Sequence, residues 1–248
     1  MTVRRPLQFD HDDRRQIYEY IERTGTVKQD TLESALDLDP NAIRHHVAIL
    51  RRDGRIVVDD GLIRIAVDPE SGETHVAPDG TSFSIRSARE EDLAGIVGVI
   101  REVVAAGSYV EAENVAQLLD HEDVLLRFNE IESRMFFVAT VDDEVVGWVH
   151  LRGSELEKLG HTATLTVGVI AEYRSRGIGS ALLRRGLEWA GNNDYKRIYQ
   201  SVPATNDDAI DFLEHHGWSV EAVRDRHYRI DGEAVDEVMM ATEVVPAD

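Results

Sequence analysis

Residues 173–183 read YRSRGIGSALL: two arginines and two glycines in six positions, then the start of a helical apolar run. Glycine lets main-chain N–H groups approach a ligand with no Cβ in the way. A helix N-terminus adds partial positive charge to that approach. Together these features ask for an anion, most often a phosphate. A dinucleotide fingerprint would want a third small residue where Leu182 stands, and a P-loop would need a Gly-Lys-Ser/Thr that is absent. An ordinary glycine-rich turn is the plain alternative. The preceding residues, HTATLTVGVI (161–170), read as a strand, so the motif sits at a strand-to-helix turn.

The neighbouring pattern is strand, helices, strands, then alternation. FSIRSA (83–88) reads as a strand. REEDLAGIVGVIREVVAAG reads as a helix with Leu93, Ile96, Val97 and Ile100 inward, and a further helical stretch is expected over 111–130. MFFVATV and EVVGWVHL form a hairpin across Asp142-Asp143. After the motif, a helix runs through Ala190. KRIYQSV is a strand, DDAIDFLEHHG a helix, and HYRI with DEVMMATEV a closing hairpin.

A mixed sheet with a strand entering Arg-x-x-Gly-x-Gly and then a helix resembles the GNAT superfamily of N-acetyltransferases. The resemblance covers residues 83 to about 244, and its strongest part is VIAEYRSRGIGSALL. NDDAIDFLEHHGW resembles the family's Asn-x-x-Ala…Gly-Phe segment with Trp218 in place of the usual phenylalanine. SIRSAREEDLAGI and VATVDDEVVGWVHL are also family-like. The resemblance implies an α/β (α+β) GNAT fold, a central mixed, largely antiparallel sheet flanked by helices. It implies acetyl-CoA as co-substrate and no metal. The cofactor loop would comprise Arg174, Ser175, Arg176, Gly177, Ile178, Gly179 and Ser180. The strand before it would splay from its neighbour, with backbone groups around Val167 and Val169 pairing the pantetheine arm. Asn206 matches a family position that contacts the cofactor, and it can equally be only a helix N-cap.

Transfer of an acetyl group to an amine needs a neutral nucleophile, a stabilised oxyanion and a proton for the departing thiolate. The family's usual tyrosine acid falls at Leu213 here, so Tyr199, beside the splay, is the substitute. Its competing reading is a core aromatic. The base position on the strand falls at Ala163 and Leu165, which cannot take a proton. His161 lies one pleat earlier on the same face, and imidazoles titrate near neutrality as a class. Glu155, Glu157 and His150 are weaker alternatives. The segments 108–113 and 154–160 should border the acceptor, and Glu111, Glu113, Glu155 and Glu157 there would favour a cationic amine. A protein lysine, a protein N-terminus and a small amine all remain open.

The first quarter of the chain reads differently. DHDDRRQIYEYIERT offers a helix with Ile17, Tyr20, Ile21 and Thr24 along one stripe, stopped by Gly25. KQDTLESALDL is a second helix with Leu32, Ala35 and Leu36 inward. PNAIRHHVAILRRD is a third, with Ile43, Val47 and Leu50 inward and Gly54 at its end. RIVVDDGLIRIAV follows as two strands around an Asp-Asp-Gly turn. Three helices and a hairpin make a winged helix-turn-helix. Asn41, Arg44, His45, Ala48 and Arg52 share the third helix's polar face, so Asn41, Arg44, His45 and Arg52 are candidate contacts to duplex DNA. A dimerisation or protein-contact module is the other reading. The expected division is a winged helix-turn-helix domain over 1–67, a linker over 68–82 and a GNAT domain over 83–248.

Composition bounds the rest. The 248 residues carry a formal net charge of −20 and no cysteine, which removes disulfides, zinc fingers and thiol nucleophiles. Of 27 basic residues only Lys28, Lys158 and Lys196 are lysines. Dispersed acid with scarce lysine suggests a halophilic cytoplasm, where salt screens self-repulsion. Apolar periodicity argues against an acidic disordered chain. Residues 1–67 hold 11 basic and 12 acidic side chains, and residues 68–248 hold 16 and 35, so the first segment is the relatively basic one. No apolar run suits a membrane helix, and the arginines of MTVRRPLQFDHDD lack the apolar core of a secretory signal, so a cytoplasmic location is expected. The sequence thus points to an acetyl-CoA-dependent N-acetyltransferase with a DNA- or partner-targeting module, and a homodimer is allowed for. The alternative is a helix-turn-helix regulator whose GNAT-like half senses acetyl-CoA.

Overall fold

The computed structural model describes residues 9–59, 61–66, 72–105, 109–129, 132–154 and 156–244. Side chains bury into two hydrophobic cores. The smaller is built by α1 (Asp12–Thr24), β1 (Thr26–Lys28), α2 (Gln29–Ala35), α3 (Pro40–Arg52), β2 (Ile56–Asp59) and β3 (Leu62–Ile65). Two aspartates occupy the first turn of α1, where the helix dipole favours them. Asp39 caps α3 by accepting from the N–H groups of Asn41 and Ala42, with Pro40 opening the helix. Ile17, Ile21, Leu32, Ile43, Val47, Leu50, Ile56 and Ile63 meet in the core.

Two details of the inward faces differ from the sequence reading. Tyr18 is buried in α1 while Tyr20 is half-buried and Thr24 exposed. Ala35 is exposed because α2 ends there, after seven residues, with Leu32 alone buried from that helix. The short β1 joins the expected hairpin in the order β1-β3-β2.

The larger core lies around β4 (Glu73–Val76), β5 (Ser82–Ser87), α4 (Leu93–Ala105), α5 (Val110–Glu122), β6 (Arg127–Phe128), β7 (Glu132–Val141), β8 (Glu144–Ser154), β9 (Thr162–Val169), α6 (Ile178–Asn192), β10 (Arg197–Pro203), α7 (Asp207–His215), β11 (Ser219–Ile230) and β12 (Glu233–Glu243). Strand order is β11-β12-β10-β9-β8-β7-β5-β4, with β6 on the side of β7. Every pairing is antiparallel except β9 with β10. That parallel pair is joined only at Arg197↔Thr162, Ile198↔Ala163 and Tyr199↔Thr164. Beyond Thr164 the two strands part, and the sheet opens in the middle.

Three expectations need correction. Glu73–Val76, inside the stretch read as a linker, is strand β4 paired to β5, while residues 68–71 lie outside the described residues. The helix expected over 111–130 stops at Glu122, because Asp123 adopts φ 54° and its N–H closes on Leu119 O. The strand carrying HYRI begins much earlier, at Ser219.

The two cores touch at β6. Phe128 packs against both. The Tyr18 hydroxyl donates to Phe128 O at 3.1 Å, and Asn129 Nδ2 donates to Glu22 Oε1 at 3.1 Å. Arg127 reaches Glu22 at 3.6 Å and Glu122 at 2.9 Å. Glu122 also pairs with Arg134, whose side chain is fully buried. The seam is therefore ionic at its centre and apolar at Phe128.

Candidate active site

The strand-to-helix turn forms the floor of a groove of about 790 Å³ at the opening between β9 and β10. Gly177 is the N-cap of α6 at φ +83°, the left-handed region that glycine enters without strain. An added Cβ there would meet nothing within 4 Å, so it would project into open space at the helix start. No side chain caps α6, and its first internal bond is Ala181 N–H to Gly177 O. The preceding amides of the first turn are thus available to an anion. Gly179 is different: an added Cβ would sit 3.6 Å from the Phe212 ring, an ordinary contact, so packing against α7 does not demand glycine there.

Of the residues named from the sequence, Val167, Val169, Arg174, Ser175, Gly177, Gly179, Ser180 and Asn206 line this groove together. Arg174 is held across it, its Nε donating to Val169 O at 2.9 Å, so one of the expected pantetheine-pairing carbonyls is engaged by the loop itself. Ile178 is buried and its side chain faces the core, leaving only its amide for a ligand. Arg176 turns away: its Nε lies 3.2 Å from Asp79, its Nη1 donates to Thr81 Oγ1 at 2.9 Å, and it stacks over Tyr173. It ties the loop to the β4–β5 turn. Asn206 caps α7 by accepting from Ala209 N–H, and it also lines the groove.

The expected catalytic pair does not converge on the groove. His161 is exposed at the start of β9, at the opposite end of that strand from the loop, and its carbonyl accepts from Lys196 N–H at 2.8 Å. Tyr199 is half-buried on β10 at the last paired position before the opening. Leu213 is buried in the core. His150 is fully buried, stacked on Phe136, and burial with Arg134 and Arg152 nearby lowers it to about 3, so it stays neutral. Residue 155 lies outside the described residues, as does Ser108.

Sequence reasoning missed two tyrosines. Tyr109, immediately before α5, lines the groove beside Arg174 and Asp208. Burial raises its hydroxyl above the ordinary tyrosine range, Arg174 offsets that and Asp208 adds to it. Tyr228 of β11 is buried beside Glu237, Glu111 and Ser201, and burial first, then the two carboxylates, push it up further. Glu237 is itself buried on β12 and held by Arg224 at 2.6 Å. Nothing in local periodicity marks these residues, because the partners of each come from other elements far along the chain.

A mixed sheet opened at its one parallel pair, with an uncapped helix start and a glycine loop beside the opening, defines a coenzyme A-dependent acyltransferase. The acetyltransferase (GNAT) family profile matches residues 104–218. The chain is 32% identical over 177 residues to an N-alpha-acetyltransferase of Sulfurisphaera tokodaii, covering 66% of this chain and 95% of that protein. It is 30% identical over 105 residues to the L-amino acid N-acetyltransferase AaaT of Escherichia coli, covering 42% and 65%. The fold of yncA from Salmonella typhimurium, an acetyltransferase solved with acetyl-CoA, superposes with a TM-score of 0.54 at 18% identity over 65% of this chain and 94% of that one. This chain belongs to the GNAT acetyltransferase family. It is an N-acetyltransferase whose co-substrate is acetyl-CoA.

Proposed function

We propose that the acceptor is a primary amine, foremost the α-amino terminus of a polypeptide. The carrying observation is the buried carboxylate of Glu237, with Tyr228 and Glu111 beside it, next to Ser201 of β10. Arg224 already pairs with Glu237 at 2.6 Å, so an incoming ammonium would share that carboxylate and find Glu111 as a second acid beside Tyr228. The likeness to an N-alpha-acetyltransferase over 95% of that protein's length supports the same acceptor. Coenzyme A release should be seen with peptides bearing a free N-terminus and not with N-blocked peptides containing lysine. Equal turnover on both, or turnover on free amino acids alone, would refute the assignment.

On this reading the pyrophosphate lies against the amides of residues 178–180, with Arg174 and Ser175 at its side and Val167 to Val169 along the pantetheine arm. Tyr109 is our choice of proton donor to the thiolate, since it lines the groove and its raised hydroxyl keeps its proton. Tyr109→Phe should lower kcat about 10²-fold with little change in KM for acetyl-CoA. Tyr199→Phe and His161→Ala serve as comparisons. A loss at Tyr199 equal to that at Tyr109 would return the role to the tyrosine named from sequence.

The division into a unit over 1–67 and a GNAT unit that takes in β4 from Glu73 is likewise proposed, with residues 1–67 a winged helix-turn-helix that contacts duplex DNA. Its support is the helix order and the exposure of Asn41, Arg44, His45 and Arg52 along α3. Two of these are already paired, Arg44 with Glu33 at 3.0 Å and Arg52 with Asp53 at 3.0 Å, so phosphates must displace local carboxylates. Anisotropy titrations of the full chain across a salt series should show binding that weakens with salt. An Arg44→Ala, Arg52→Ala variant should flatten the log–log slope by roughly two contacts. Absence of binding at low salt would make α3 a protein-contact surface.

A further inference from the structure

A second cluster of coordinating side chains lies in the N-terminal unit, remote in sequence from the transfer site. His11, Asp13 and His46 each offer one ligand atom, and these atoms lie within 4.8 Å of one another. His11 is the N-cap of α1, Asp13 is in its first turn, and His46 sits in the middle of α3. His11 Nδ1 is 3.7 Å and His46 Nε2 is 3.8 Å from Asp13 Oδ2. The two imidazoles face each other with centroids 4.7 Å apart.

His46 is only 6% exposed, and the ring nitrogen it turns toward Asp13 is Nε2, at 3.8 Å. A buried imidazole aimed at a carboxylate and a second imidazole is a donor arrangement, not an apolar packing one. His11 is only weakly committed elsewhere: its Nδ1 accepts from Asp13 N–H at 3.2 Å, and the same lone pair can turn to an ion.

We propose that His11, Asp13 and His46 form a two-histidine, one-carboxylate site for a divalent transition ion of the zinc class. Two imidazoles and one carboxylate are the donors such ions take, at about 2.0–2.2 Å, so the side chains close inward by a small rotation on binding. The donors also select: two imidazole nitrogens suit zinc-class ions, whereas magnesium and calcium take oxygen ligands. An ion here would clamp the start of α1 to α3, the helix that carries His45 and Arg44 on its exposed side.

The test uses the full chain, stripped with a chelator and titrated with zinc, with cobalt as a visible-absorbing substitute and magnesium as control. We expect one zinc per chain, a raised melting temperature, and a cobalt spectrum of nitrogen and oxygen ligation. Asp13→Asn and His11→Ala should each weaken zinc binding at least about tenfold. His46→Phe, which keeps the volume buried, should abolish the site without loss of the fold. Acetyl transfer should proceed at an unchanged rate in His11→Ala. Zinc binding that is equal in all three variants would place the ion on other histidines, and magnesium binding as tight as zinc, or no binding, would equally overturn the proposal.

Discussion

At the scale of single residues, the two glycines of the motif make different contributions. Gly177→Ala puts a Cβ where the pyrophosphate should lie and forces an L-residue to φ +83°. Calorimetry should show acetyl-CoA affinity reduced more than about tenfold, with the fold kept. Gly179→Ala meets only ordinary contacts with Phe212 and removes a helix-interior glycine, so its affinity should stay within about threefold of the parent. Equal losses in the two would contradict this reading of the turn. Ser180 is coupled to His216. His216 Nδ1 donates to Phe212 O at 2.7 Å, and its Nε2 lies 2.9 Å from the Ser180 hydroxyl. Ser180 therefore has its hydroxyl committed to His216. Ser180→Ala alone should cost little acetyl-CoA affinity, and it should cost more once His216→Phe has freed the hydroxyl. A double-mutant cycle with no coupling would refute the pairing.

At the scale of elements, the seam between α1 and β6 carries a carboxylate at odds with its surroundings. Glu22 is buried, and burial raises its pKa; Arg127, Asn129 and Arg134 offset this and Glu122 adds to it. Because the folded value lies above the unfolded one, the fold favours the protonated form. Stability from this group is greatest below the unfolded pKa and is lost as pH rises through the folded pKa. Glu22→Gln should then raise the melting temperature at pH 7, with the gap closing as pH falls through the carboxylate range. A destabilised variant at neutral pH would mean that the ion pair with Arg127 outweighs desolvation. This seam was not legible in the sequence. Tyr18, Glu22 and Phe128 look like ordinary surface-helix and loop residues until β6 is laid against α1.

At the scale of the molecule, charge dominates. Nearly all of the net −20 falls on residues 68–248, and self-repulsion at that density should be relieved by screening. The melting temperature of the whole chain should rise between low and molar potassium chloride. An equal or higher midpoint at low salt would contradict the halophilic reading. Among the described residues no helix is long and apolar enough to cross a membrane.

Local chemistry by itself determined the anion loop, the strand before it, most helix starts and the inward faces of α3 and α4. Each of these depends on signals that lie within a few positions: Gly177 after two arginines, Asp39 before Pro40, apolar residues three and four apart. Only the tertiary structure decided which candidate side chains meet. Arg176 and His161 sit at plausible positions in the chain, yet the fold turns the first onto Asp79 and leaves the second on an outer turn. Tyr109 meets Arg174 and Asp208 in the groove, and Tyr228 meets Glu111, Ser201 and Glu237, because elements of distant sequence pack together. His11, Asp13 and His46 meet for the same reason, since α1 crosses α3 in the small core. A helical repeat reports which face of an element is buried, and it carries no information about which other element will cover that face.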